Sequence, residues 1–350
     1  MAKIQLGAAG GAPTNNFIKS LRASARKDHL IGTSCVPSDL FLADVDERYI
    51  LPPAKSPQYA EALFSLIRQV KPDFMHAQND YEVQAVSQLR EQITALGVKL
   101  YLPSKETVEN CIDKAKSYQF WQDAGLRVPK TILIHNEADL QRAFAELGSK
   151  IWLRAIVGGG GRGALPTDSF SFAKAWIDHY RGWGVFTAAE MLGEKSVTWQ
   201  SIWHQGELVV AQTRRRLSWN FGDRTLSGVT GITGVGETCS DAGVDQIAHD
   251  AIFAIDKKPH GIFSVDLTYD QKGFPNPTEI NIGRFFTTHY FFTKAGLNFP
   301  EIFCNIALDQ KFPQLAKKIN PLPDGLLWIR GMDVEPVLTT VEQLKQLANA

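Results

Sequence analysis

The stretch from Gly261 to Ile282 constrains the fold more than any other part of the 350-residue chain. Residues 261–269 read Gly-Ile-Phe-Ser-Val-Asp-Leu-Thr-Tyr, and residues 277–282 read Pro-Thr-Glu-Ile-Asn-Ile. Alternation predicts two strands, with Ser264, Asp266 and Thr268 on one face of the first and Phe263, Val265 and Leu267 on the other. In the second, Glu279 and Asn281 share a face opposite Ile280 and Ile282. Pairing across an even-length turn such as Lys272-Gly273 sets Asp266 against Glu279 and Asn281 against Ser264, with apolar facing apolar behind them. Two carboxylates and an amide oxygen then cluster. Such hard oxygen ligands suit Mg²⁺, which takes few protein ligands and fills its shell with phosphate and water. The same alternation also describes the solvent face of an ordinary hairpin. Opposed carboxylates repel, which favours a bound cation. Pro275 and Pro277 weaken pairing near the turn and leave its register open.

A second constraint is the tract Gly158-Gly159-Gly160-Gly161-Arg162-Gly163, which follows an apolar strand over 151–157 and precedes a helix over 171–180. Glycines let backbone N–H groups turn toward an anion and approach it closely, so the tract reads as a cover for phosphates or as a flexible linker. It is not a Walker loop, because no Gly-Lys-Ser/Thr follows. Arg154, inside the apolar strand, needs a counter-charge, either a phosphate or a nearby carboxylate.

Around these features the first hundred residues alternate strand and helix: strands over 3–9, 28–32 and 73–78, helices through 26 and over 59–70 and 82–96. That is the pattern of a parallel sheet covered by helices. Helical stretches follow over 105–124, then a strand over 131–135 and a helix over 137–147. Strands are expected over 186–190, 196–203 and 207–213, a helix over 245–255, and a strand over 326–331. Residues 217–240 read as a long Gly/Ser/Thr-rich loop, and loops of that length inside a domain are usually functional or mobile. A last helix is expected with Thr339 and Glu342 in capping-box spacing.

Composition excludes several classes. Thirty-seven basic and thirty-seven acidic side chains balance, which argues against a nucleic-acid footprint. Cys35, Cys111, Cys239 and Cys304 have neither paired nor metal-binding spacing, the expectation for reduced thiols in the cytoplasm. No apolar run reaches about 18 residues, and the first residues carry no cleavage pattern, so neither a membrane span nor a signal peptide is expected.

Taken in order, Asp113-Lys114-Ala115-Lys116, Gly125-Leu126-Arg127-Val128-Pro129, Trp152-Leu153-Arg154, the glycine tract, Glu190 to Val197, Asp266, and Glu279-Ile280-Asn281 resemble the ATP-grasp superfamily. The resemblance is to the branch holding the carbamoyl-phosphate synthase large subunit and biotin carboxylase, and it covers nearly the whole chain. It implies an α/β chain: a parallel-sheet domain over 1–103, a lid subdomain with the flap over 104–195, and an α+β subdomain with the metal site over 196–350. It implies ATP, with Mg²⁺ or alternatively Mn²⁺. Lys114 and Arg154 would touch phosphate, with Gly159, Gly160, Gly161, Arg162 and Gly163 covering it. Met191, Leu192 and Glu190 would meet adenine, and Glu194 the ribose. Asp266, Glu279 and Asn281 would hold metal, and Arg284 would face the phosphoryl group in transfer. Three departures stand out: a short gap between Glu190 and Glu194, Ser264 where some ligases carry a basic residue, and Arg284 one position further from Asn281 than usual.

The implied activity is an ADP-forming carboxylate–amine ligase working through an acyl phosphate. The alternatives are a nucleotide-binding regulatory protein without catalysis, and an enzyme phosphorylating a small anion as in the carbamoyl-phosphate branch. Only one ATP-grasp module is found, which counts against a complete synthase. Expected partners are a small carboxylate and an amine, with a homodimer left open. Arg214 and Arg216 are candidates for the substrate carboxylate, since arginine binds carboxylates bidentately. Gly10, Gly11 and Thr14 are candidates for the other side of the site, with a plain tight turn as the competing reading. Thr287, Thr288 and His289 follow the metal motif closely enough to reach substrate.

Overall fold

The computed structural model describes residues 1–157, 161, 163–312, 314–332 and 337–343. Its first sheet is parallel throughout: β1 (Lys3–Leu6), β2 (His29–Ser34), β3 (Glu47–Ile50), β4 (Phe74–His76) and β5 (Lys99–Leu100), in the order β3-β2-β1-β4-β5. Helices Ala12–Arg22 and Tyr59–Val70 connect its strands, and the interior of β1 is buried, as a covered parallel sheet requires. A second, antiparallel sheet holds β6 (Thr131–Ile134), β7 (Ile151–Ala155), β8 (Leu165–Thr167) and β9 (Phe186–Glu190) in the order β6-β9-β7-β8. The third, also antiparallel, holds β10 (Ser196–His204), β11 (Glu207–Trp219), β12 (Thr233–Thr238), β13 (Gly261–Tyr269), β14 (Pro275–Ile282), β15 (Leu326–Ile329) and β16 (Val337–Thr340), in the order β14-β13-β10-β11-β12-β15-β16.

The apolar clusters show what packs with what. Ile31, Leu63 and Met75 of the first sheet and its helices share one core with Trp199, Val265 and Ile280 of the third. A second core joins Ile4, Leu6 and Phe17 to Ile262, Phe285 and Phe303. The second sheet has its own cluster, centred on Ile134, Leu153, Ile177 and Phe186. The element bearing the glycine tract therefore packs around a core of its own, while the first and third sheets are welded to each other.

Several local expectations change. Residues 82–96 form two helices, Asp80–Gln88 and Arg90–Ala95, broken at Leu89. The 3₁₀ turn Pro37–Leu42 and β3 were not anticipated. β11 continues to Trp219, and β12 lies inside the stretch read as a loop. Arg214 and Arg216 stand where apolar residues usually mark a strand's inner face. Gly234 and Gly236 remove the matching signal from β12. The second glycine has a packing cause, because a Cβ there would lie 2.8 Å from Arg214 Cδ. The final capping box sits one residue later than expected. The Gln343 N–H donates to Thr340 Oγ1, and the Thr340 N–H to Gln343 Oε1, both at 3.2 Å, after a strand rather than a loop.

Candidate active site

The hairpin β13–β14 sets Asp266 opposite Glu279 and Ser264 opposite Asn281, the register the alternation required. It arrives there by another route. Tyr269 pairs with Pro275, so the turn over 270–274 is odd in length, closed by Asp270 Oδ1 accepting from the N–H groups of Lys272 (2.8 Å) and Phe274 (3.0 Å). A bulge at Thr278 then restores the offset, with Leu267 facing Pro277. The two irregularities cancel. The bulge also leaves the Thr278 carbonyl outside the ladder, where it accepts from Arg154 Nη2 at 2.8 Å.

Internal donors engage both oxygens of Asp266, one oxygen of Glu279 and the amide oxygen of Asn281. Asp266 accepts from Asn281 Nδ2 (3.0 Å) and from the Thr198 hydroxyl, with Arg216 Nη2 at 3.8 Å. Glu279 Oε1 lies 3.3 Å from Lys114 Nζ. Asn281 Oδ1 accepts from Arg284, whose guanidinium also pairs with Asp80. Lys114 opens the helix Lys114–Asp123, capped by Asp113, and is 9% exposed. Burial lowers the Arg154 pKa, opposed by Glu279 and Asp266. Burial also pulls on Arg284, but Asp80, Glu279 and Asp266 together outweigh it and leave that guanidinium raised. Lys114, Arg154, Arg216 and Arg284 thus surround Asp266, Glu279 and Asp80. The donor set fits a divalent ion: two mutually repelling carboxylates and one amide oxygen on one sheet face. No cluster of three or more His, Cys, Asp and Glu suited to a metal occurs among the described residues, and a Mg²⁺ held by this pair would need its remaining ligands from phosphate and water.

Arg214 lies behind this cluster rather than at its mouth. It is 2% exposed, stacks on Phe286, and donates to Thr233 and Thr198 at 2.7 Å each. Burial and the neighbouring Arg216 push its pKa down to about 9. Through Thr198 it buttresses Asp266. Arg216 is nearer the acids and stacks on Trp219.

Of the glycine tract, Gly158, Gly159, Gly160 and Arg162 lie outside the described residues. Gly161 has φ +72° and abuts the Val229 carbonyl so closely that a Cβ would lie 2.5 Å from that oxygen. Gly161 therefore meets the segment between β11 and β12. Glu190 caps the Lys130 N–H at 3.0 Å, Met191 and Leu192 are half-buried, and Glu194 is exposed. The connection between the sheets is fixed where the Gly193 N–H donates to the Tyr269 carbonyl at 2.8 Å.

The first turn is occupied with its own closure. Thr14 Oγ1 donates to the Gly7 carbonyl at 2.8 Å, and Gly10 (φ +95°) packs against the Asp39 backbone. Gly11 caps the helix Ala12–Arg22 without a side chain. Asn16 donates to the Thr287 carbonyl, joining that helix to the segment after β14. Thr288 and His289 are fully buried; Thr288 Oγ1 and His289 Nε2 have no hydrogen-bond partner among the described residues. Burial pushes His289 down to about 3, so it stays neutral.

Sequence reading missed Asp80, Thr198 and Glu82. Glu82 is fully buried beside Gly7, hydrogen-bonded to Tyr59 at 3.3 Å, and burial pushes its pKa up to about 7. A carboxyl raised from 4.5 to about 7 is stabilising in its neutral form below pH 4.5, and that contribution is lost as pH rises through 7. Glu82→Gln is therefore expected to gain stability relative to the parent between pH 4 and pH 8, by roughly 3 kcal/mol at most, as read by urea unfolding at the two pH values. A constant difference at both pH values would contradict the buried neutral carboxyl.

A parallel sheet, a four-stranded antiparallel sheet carrying a glycine tract, and a larger antiparallel sheet with acids on its edge hairpin together make the ATP-grasp fold. No family model matches the chain, and no curated protein matches it in sequence. Solved structures do match. Biotin carboxylase from Campylobacter jejuni superposes with a TM-score of 0.71 at 17% identity, covering 94% of this chain and 75% of that one. N5-carboxyaminoimidazole synthetase from Staphylococcus aureus gives 0.71 at 14% identity, covering 99% and 96%. L-amino acid ligase from Bacillus licheniformis gives 0.67 at 15%, covering 99% and 85%. At these identities the likeness is one of fold. No helix among the described residues is long and apolar enough to cross a membrane.

Proposed function

We propose that this chain is an ATP-dependent, ADP-forming ligase that activates a carboxylate as an acyl phosphate and joins it to an amine. The observation that carries this reading is the convergence of Lys114, Arg154, Arg216 and Arg284 on the paired acids Asp266 and Glu279. The similar biotin carboxylase was solved with a β,γ-ATP ligand and the similar synthetase with ADP, which supports a nucleotide here. In this reading residues 1–103, 104–195 and 196–350 are the preceding domain, the lid and the metal-bearing part.

Asp266, Glu279 and Asn281 would hold Mg²⁺ or Mn²⁺. Bound there, the ion would neutralise charge across the β- and γ-phosphates. Lys114 and Arg154 bind those phosphates, and the flap N–H groups cover them. Met191 and Leu192 meet adenine, with Glu190 at its edge and Glu194 at the ribose. Arg284 stabilises the phosphoryl group as it passes to the substrate carboxylate, catalysis by position and charge. Arg216, beside Asp266, is placed to receive that carboxylate, while Arg214 holds Thr198 and so Asp266. Closure of the second sheet's unit excludes water that would hydrolyse the acyl phosphate.

The test is incubation with MgATP and pools of carboxylates and amines, with ADP and new masses detected together. ADP and phosphate released only with a carboxylate is the expected result. AMP with pyrophosphate contradicts it, and tight ATP binding without turnover on any carboxylate points to a binding protein.

A further inference from the structure

We propose that Asp80 is the positioning residue for Arg284, so that the first sheet sets the aim of the phosphoryl-binding guanidinium in the third; this rests on the ligase reading above. Arg284 follows Gly283, which has φ +67°. A Cβ on Gly283 would lie 2.5 Å from Leu102 Cδ1 and 3.1 Å from Val83 Cγ1, so only glycine lets the chain turn there between the two sheets. The turn absorbs the extra residue after Asn281 and delivers Arg284 to the helix Asp80–Gln88.

The resulting contact is a side-on fork. Arg284 Nε donates to Asp80 Oδ1 and Nη2 to Asp80 Oδ2 at 3.2 Å, while Nη2 also donates to Asn281 Oδ1. A planar guanidinium held on two of its edges has no rotational freedom left. Nη1 carries no hydrogen bond to any described residue and remains as the donor edge. The two side chains are only 15% and 22% exposed, so solvent does not compete strongly for the pair. Asp80 is itself fixed. It is the first residue of a helix whose N-cap, Asn79, accepts from the Glu82 N–H at 2.9 Å. A carboxylate in the first turn of a helix also interacts favourably with the helix dipole, which helps hold Asp80 in that position.

Asp80 touches neither nucleotide nor acid substrate in this scheme. It acts through Arg284, and a mere tether between sheets would behave differently. The test uses Asp80→Asn in the full chain, with MgADP alone and MgADP plus aluminium fluoride as a stand-in for the phosphoryl in transfer. Affinity for MgADP should change by no more than about twofold. The added affinity brought by aluminium fluoride should fall about tenfold or more, the worth of one charged hydrogen bond. The Arg284 Nε–Hε NMR signal, assigned by its absence in Arg284→Lys, should move toward the position of an unpaired arginine. An unmoved signal with unchanged aluminium fluoride affinity overturns the proposal. So does a gain in that affinity, which would make Asp80 a competitor for the guanidinium. If the parent binds no MgADP, the ligase reading falls, and the NMR signal alone decides: movement supports the fork as the positioning contact, and no movement overturns it.

Discussion

Glu279→Gln is expected to lower carboxylate-dependent ADP release by about 10²–10³-fold, with the fold intact. The substitution keeps the side chain's shape and removes one charge. Without metal it relieves the repulsion with Asp266 across the hairpin and loses the contact with Lys114 at 3.3 Å, two effects of opposite sign. Intrinsic thermal stability should therefore change little. The nucleotide response is where the loss falls. MgATP should raise the melting temperature of the parent and hardly move that of the variant, because ligand stabilisation follows ligand affinity. A variant stabilised by MgATP as strongly as the parent, with turnover to match, would remove Glu279 from the metal site.

Arg284→Ala is expected to cut turnover by about 10³-fold or more, the scale seen when an arginine on a transferring phosphoryl is removed. Ground-state MgATP affinity should fall far less, because the charge is needed mainly when the phosphoryl moves. Arg284→Lys should rescue little, since an ammonium cannot reproduce the fork that meets Asp80 and Asn281 together. Equal losses in affinity and turnover would instead mark Arg284 as a plain ground-state contact.

The hairpin was legible because two independent signals, apolar alternation and cross-strand chemistry, agreed on one register. Neither signal contained the odd turn or the bulge at Thr278, and the pairing of Asp266 with Glu279 survived because these two offsets cancel. Arg284 looked misplaced by one residue. The left-handed turn at Gly283 brings it to Asn281 all the same, a correction invisible to spacing alone. The parallel first sheet was readable from its alternation of strand and helix. β12 was not, because Gly234 and Gly236 erase the pattern of a strand, and the second of them makes room for Arg214.

Asp80 and Thr198 had no local signature at all. One is the first residue of a helix and the other a threonine on a buried strand, and each gains its role from a partner brought by packing: Arg284, 204 positions away, and Asp266, 68 away. Arg214 and Arg216 were equivalent by sequence. Burial separates them, placing Arg214 behind Thr198 and Arg216 beside Asp266.

The central claim is tested most directly by diffraction at the manganese edge from crystals grown with Mn²⁺ and a non-hydrolysable ATP analogue. An anomalous peak between the carboxylates of Asp266 and Glu279, in contact with the analogue's phosphates, is the expected result. A bound nucleotide whose manganese lies away from both carboxylates would contradict it.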